Sequence, residues 1–126
     1  MKLWIDDIRP APEGYDHLFS VNEAKSEIIH SEESIKAMKA MVETYEIATG
    51  ETWCSMREEI VRRTIELIDI DHDAGDEAND GGDYIRLLDW LEETNRSYPI
   101  RIHSMNPVGV ANMRRIIQRN GWTEVK

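Results

Sequence analysis

The chain has one cysteine, one phenylalanine and no surplus of basic residues. A lone thiol, Cys54, forms no intramolecular disulfide, so nothing points to an oxidising compartment. Fifteen Lys and Arg against 25 Asp and Glu leave a formal net charge of −10, which excludes broad contact with a phosphate backbone, because counterion release needs a basic surface. A nucleotide-sized ligand stays open. No apolar run is long enough for a bilayer, and Met1-Lys2-Leu3-Trp4-Ile5-Asp6 meets charge too soon for a signal peptide. A soluble, cytoplasmic protein is expected. Internal repeats and low-complexity tracts are also missing. What is present is 40% apolar content with four tryptophans, an ordinary globular composition in 126 residues, which predicts a single domain spanning 1–126.

The stretch that most needs explaining is Leu67-Ile68-Asp69-Ile70-Asp71-His72-Asp73-Ala74-Gly75. Its aliphatic run reads as a buried strand that turns at Gly75, with Asp69 and Asp71 on one face and Ile70 on the other. Carboxylates crowded at a strand end repel one another unless a cation, a basic side chain or hydrogen bonds offset the repulsion. A calcium loop fits the spacing of Asp69, Asp71, Asp73 and Asp80. It fails at Ala74, where the sharp turn requires glycine, and in the strand that precedes Asp69 where a helix belongs.

Leu3-Trp4-Ile5 followed by Asp6-Asp7 repeats the pattern and predicts a second buried strand. Pro10 and Pro12 forbid a helix after it, leaving a loop to Tyr15 in which Arg9 pairs with an acid or grips a phosphate. His17-Leu18-Phe19 reads as a short strand, and Ser20-Val21-Asn22-Glu23 as a capping box opening a helix with Val21, Ala24 and Ile28 on one face. Residues 31–64 carry helical spacing at Ile35, Met38, Val42 and Tyr45, then a second capping-box form at Ser55-Met56-Arg57-Glu58. They predict an insert of two extra helical pieces, with Met38, Met41 and Met56 as core residues or as a surface for a protein partner. Tyr84, Leu87, Leu88 and Leu91 mark the next helix, and Ile100-Arg101-Ile102-His103-Ser104 the next strand. Asn106-Pro107-Val108-Gly109 opens a helix that stops at Asn120-Gly121, and its first amides beside Ser104 and Asn106 offer an anion cradle. Trp122-Thr123-Glu124-Val125 is a plausible last strand.

Strands alternating with helices imply a parallel sheet, whose ligands bind beyond the carboxyl ends of the strands. Three predicted strands end there in chemistry: Asp6-Asp7, Asp71-His72-Asp73 and His103-Ser104. The expected fold is α/β, a receiver-like (flavodoxin-like), mainly parallel sheet of about five strands with flanking helices and the helical insert. Carboxylates at strand ends suit a divalent cation, and two histidines beside them suit general acid–base chemistry.

The pattern Asp6-Asp7-x-Arg9-Pro10, then Asp71-His72-Asp73-x-Gly75, then His103-Ser104-x-Asn106-Pro107-x-Gly109-x-x-Asn112-Met113 resembles a receiver-like family described as cyclic-phosphate-processing, a divergent relative of two-component receiver domains. The resemblance touches most of the chain outside residues 31–64. It implies that Asp6 and Asp7 hold a divalent cation, Mg or Mn, with Asp71 at the phosphoacceptor position and Ser104 contacting the phosphoryl group. His72 and His103 are what ordinary receivers lack. The helix after the first strand is missing, the insert is extra, and a receiver's last helix has no counterpart after Lys126.

Two functions follow. The first is metal-assisted hydrolysis of a cyclic phosphate, such as a cyclic nucleotide or a 2′,3′-cyclic phosphate end. In it His72, His103 and Asp71 are catalytic, Asp6, Asp7 and Asp71 hold the metal, Arg9, Ser104, Asn106 and Gly109 hold the phosphate, and Asp73 stands at the margin. The alternative is a non-catalytic receiver-like signalling or phosphate-sensing module, with a metal site and a protein partner at the insert.

Overall fold

The computed structural model describes residues 1–126 and divides them into two compact units, Met1–Ser26 with Ile65–Lys126, and Glu27–Thr64. The first unit carries four strands, β1 (Lys2–Ile5), β2 (Tyr15–Leu18), β3 (Leu67–Ile70) and β4 (Ile100–Ile102), all parallel in the order β2-β1-β3-β4. Helix α1 (Val21–Thr49) starts here, and α3 (Ile85–Glu93) and α4 (Pro107–Asn120) belong wholly to this unit. α2 (Cys54–Arg63) belongs to the second.

Alternation sorts the strand residues onto two faces. Leu3, Ile5, Ile68, Ile70 and Ile100 are fully buried and form the apolar face, with Tyr84, Leu87, Leu88, Leu91, Met113 and Ile117 completing the core. On the other face one row runs in register across the sheet, His17–Trp4–Asp69–Arg101, so that an aspartate with no solvent exposure sits in the middle strand. The β1–β2 connection explains that second face. Nine residues, Asp6 to Gly14, link two parallel strands with no helix between them. As expected, no helix forms around Pro10 and Pro12, but the link is not extended throughout: it bends over residues 7–9 and turns at Glu13-Gly14.

Chain order reverses between β1 and β3: β2 lies outside β1, and the chain then returns to place β3 on the other side. Parallel sheets open a crevice at such a switch point, at the carboxyl ends of the two strands. Those ends are Asp6-Asp7 and Asp71.

Several expectations need correction. The sheet has four strands, not five: Glu124 makes one isolated bridge to Ile100, held by Ile100 N–H to Thr123 O and Val125 N–H to Ile100 O, and Trp122–Val125 forms no strand. Of the two helical pieces predicted in the insert, the second stands as α2, but the first is not a separate piece. With neither Gly nor Pro between Val21 and Thr49, α1 runs unbroken through residues 31–49 until Gly50 takes a left-handed φ of 69°. α2 starts at Cys54, and Ser55 makes no cap. None of Met38, Met41 and Met56 is buried, so they are not core. The unit Glu27–Thr64 has little interior, with Ser31 Oγ donating to Arg63 O at 2.7 Å, and Glu46 gripping the Arg57 guanidinium and the Trp53 amide.

Candidate functional site at the carboxyl ends of the strands

Each strand-end residue is held by local geometry that the sequence dictates. Asp6 follows β1 and is buried, because the chain bends at once: its Oδ1 accepts from the amides of Ile8 and Arg9, both at 2.9 Å, which turns the loop away from the sheet. Trp4 Nε1 donates to Arg9 O at 3.0 Å and Arg9 Nη1 to His103 O at 3.1 Å, so Arg9 latches the loop across to the end of β4. Asp7 packs against Gly75, whose φ is +56°. A Cβ there would stand 2.4 Å from Asp7 Oδ2, so glycine serves both the turn and the carboxylate. Asp71 accepts the His72 amide at 2.7 Å. Ligand oxygens of Asp6, Asp7 and Asp71 lie within 4.8 Å of one another.

The charges of this trio push against one another. Burial raises the Asp7 carboxyl above its ordinary range, and the neighbouring charges of Asp6, Asp71 and Asp73 add to the effect. Burial acts upward on Asp6 too, but the Ile8 and Arg9 amides and His103 outweigh it and hold that carboxyl below the usual value. Buried Tyr84, whose hydroxyl donates to Phe19 O at 2.7 Å, is pushed upward by burial first and then by the field of Asp7, Asp6 and Asp71. Three hard oxygen donors with mutual repulsion could hold a divalent cation. The residues fit such an ion.

His103 is the centre of the buried side. Its Nδ1 lies 2.6 Å from Asp69 Oδ1 and its Nε2 2.9 Å from Asp6 Oδ2, while its ring stacks on Trp4 at 3.7 Å between centroids with 4° between planes. Asp69 also receives the Tyr15 hydroxyl at 3.3 Å and faces Arg101 Nη1 at 3.7 Å. His72 stands differently. Both of its polar contacts use Nδ1, to Asp73 Oδ1 at 2.9 Å and Asn106 Nδ2 at 3.5 Å, and its ring lies on Gly109, where an added Cβ would come within 2.3 Å of Cγ.

The predicted phosphate side is placed as follows. Ser104 Oγ accepts the Asn106 amide at 3.2 Å, and Asn106 caps α4 by accepting the Gly109 amide at 3.0 Å. Pro107 has no N–H, so among the first three helical positions only the Val108 amide is open to an anion. The loop after β3 is a 3-10 turn, Gly75–Asn79, and is tied to the start of α1: Ser20 Oγ caps Glu23 N–H and donates to Asp80 Oδ2 at 2.6 Å. Asp69, Trp4 and Tyr15 were absent from the residues expected at the site. The available signal was an acid inside an aliphatic strand, since a buried charge must find partners.

No helix of the structure is long and apolar enough to cross a membrane. No curated protein and no solved structure matches the chain. The sequence model of the cyclic-phosphate processing receiver domain matches residues 1–119, which covers every strand, every helix up to the last residue of α4 and all the strand-end residues described above. The chain belongs to the cyclic-phosphate processing receiver domain family.

Proposed function

We propose that this domain is a metal-assisted phosphoesterase that opens a cyclic phosphate on a small ligand, a cyclic nucleotide or a 2′,3′-cyclic phosphate end, in the cytoplasm. The observation that carries the reading is the pairing of the three-acid cluster with a histidine whose Nδ1 is held by a carboxylate and whose Nε2 is not engaged. A dianionic or monoanionic phosphate would be repelled by Asp6, Asp7 and Asp71 alone, so cation and substrate belong together. Asp6, Asp7 and Asp71 would hold Mg²⁺ or Mn²⁺, which supplies positive charge against the phosphoryl oxygens.

Asp73 orients His72 with Nδ1–H toward the carboxylate, leaving the Nε2 lone pair for a proton. In hydrolysis a water oxygen forms a bond to phosphorus, the water's proton goes to His72 Nε2, the ring P–O bond breaks, and the departing alkoxide takes a proton from solvent. Asp73 then faces an imidazolium, which it stabilises. Arg9, Ser104, Asn106 and the open Val108 amide at the α4 start orient the phosphate, while Gly109 gives its amide to the Asn106 cap and leaves room for the His72 ring. His103, with a carboxylate on each nitrogen, holds Asp6 in place, and Asp71 serves as ligand.

A second reading, a non-catalytic receiver-like module with a protein partner, is favoured by the unit Glu27–Thr64. Ile47 and Val61 are 78% and 72% exposed there, around a groove of about 590 Å³ with Val42 and Ile60 in its lining. Assay of the purified protein against cyclic nucleotides and 2′,3′-cyclic phosphates, with and without Mg²⁺ or Mn²⁺, separates the two. Metal-dependent ring opening lost in His72→Ala supports the enzyme. No turnover, with beryllofluoride or a phosphoryl donor reacting at Asp71, supports the signalling module.

A further inference from the structure

Outside the acid cluster the buried carboxylate is Asp69. It sits in the interior of β3 with its side chain wholly buried, between Trp4 and Arg101 in register, and no residue in the proposed chemistry requires it. A buried carboxylate is unfavourable unless several partners meet it, so its place needs a reason. Its strongest partner is His103 Nδ1 at 2.6 Å, and the far nitrogen of that ring meets Asp6 Oδ2 at 2.9 Å. The ring cannot swing, because it lies flat on Trp4, whose indole is itself fixed by Arg9 O. Asp6 gives its other oxygen to two backbone amides, which leaves Oδ2 to the His103 ring.

We infer that Asp69 is a positioning residue for the cation site: acting through His103, it fixes the orientation and basicity of Asp6, one of the three carboxylates that would take the ion, without touching the ion itself. The inference rests on the metal reading above. Outer partners of this kind orient a ligand and set its electron density, and their loss lowers metal affinity about 10–100-fold. The carboxylate matters for a specific reason. With Asp69 ionised, Nδ1 must carry a hydrogen toward it. An asparagine in the same place also accepts the opposite tautomer, in which its amide donates to Nδ1. Tyr15, donating to Asp69 Oδ2 at 3.3 Å, and Arg101 at 3.7 Å offset the remaining charge. Because Arg101 reaches Asp69 from a half-exposed position, its contribution is screened.

The test is Mn²⁺ affinity, measured by titration calorimetry and by the loss of the free-ion paramagnetic resonance signal, for the wild type, Asp69→Asn, His103→Gln and the double variant. Wild type should bind Mn²⁺, and Asp69→Asn should bind it about 10–100-fold more weakly. In the double variant Asp69→Asn should add nothing to the loss caused by His103→Gln, because the effect travels through that ring. A structural role alone would lower the melting temperature without this non-additivity. Affinity of Asp69→Asn within about twofold of wild type, or losses that add in the double variant, overturns the inference while leaving the metal reading intact. Absence of Mn²⁺ binding in wild type overturns both. Should Asp69→Asn fail to fold by circular dichroism, Tyr15→Phe removes the hydroxyl that holds Asp69 and should weaken Mn²⁺ binding about threefold, a hydrogen bond's worth; unchanged affinity then overturns it.

Discussion

The ends of β3 and β4 are neighbours in the sheet, and each presents a histidine, yet the two imidazoles have opposite surroundings. His103 is clamped between Asp6 and Asp69, with 1% and 0% of their side chains exposed, and stacked on Trp4. His72 has one acidic partner, Asp73, which is 64% exposed, and rests on the backbone of Gly109. Two engaged nitrogens suit a strut, whereas one engaged nitrogen suits the proton transfer proposed for His72. Residue type alone does not distinguish the two.

Exchange of the two roles breaks this comparison most sharply. His72→Ala should lower turnover of a cyclic phosphate by ~10²–10⁴ with the melting temperature and Mn²⁺ affinity almost unchanged. His103→Ala should weaken Mn²⁺ binding but keep turnover at saturating Mn²⁺, leaving Asp6 and Asp69 without their shared partner at a cost of about 3–5 kcal/mol of stability, on the order of 10 °C in melting temperature. Thermal scans and steady-state kinetics on both variants decide it. A His103→Ala protein that melts like wild type would show that the clamp holds nothing.

Gly109→Ala sharpens the same contrast. Its methyl would meet the His72 ring at 2.3 Å, so that side chain must move, and turnover should fall at least about tenfold while metal affinity persists, with an overpacking cost of ~1–3 kcal/mol. Wild-type rates in Gly109→Ala would mean that the ring's place on α4 is irrelevant to its work.

Smaller effects should appear in the pH dependence of the metal-free protein. Asp6 has a lowered carboxyl, so it contributes stability above its unfolded value that is lost as pH falls toward its folded one. Asp7 is raised, so its contribution is present below its unfolded value and lost as pH rises through the folded one. At neutral pH, therefore, Asp7 opposes the metal-free fold. Asp7→Asn should raise the metal-free melting temperature and reduce the increment that millimolar Mg²⁺ or Mn²⁺ supplies by mass action. An Asp7→Asn protein less stable than wild type at pH 7 without metal would contradict the crowding argument. The smallest change expected is in Ser104→Ala, where loss of a phosphate contact made equally in ground and transition states should raise KM several-fold and leave kcat nearly unchanged.

Much of this site was legible before any fold was known. Apolar runs that stop at Asp6-Asp7, Asp71 and His103-Ser104 mark the ends of buried strands, and strand ends are local features that periodicity reveals. The helix-free loop around Pro10 and Pro12, the Ser20 cap and the Gly121 stop are equally local. Where local signals were silent the reading failed in part: the second helical piece of 31–64 is α2, but spacing implied a separate first piece, whereas helix continuity depends on the absence of breakers, and α1 simply continues to Thr49.

What the sequence determined by itself, then, is which side chains stand at the carboxyl ends of the strands, because alternation, capping and turn chemistry act over a few residues. Which of them touch was decided by the tertiary structure. His103 meets Asp69 across 34 residues and Asp6 across 97, through a parallel register that sets Trp4 beside Asp69 and Asp69 beside Arg101. Register and strand order depend on the sum of packing over the whole sheet, and a buried carboxylate such as Asp69 finds its partners only when that sum is complete.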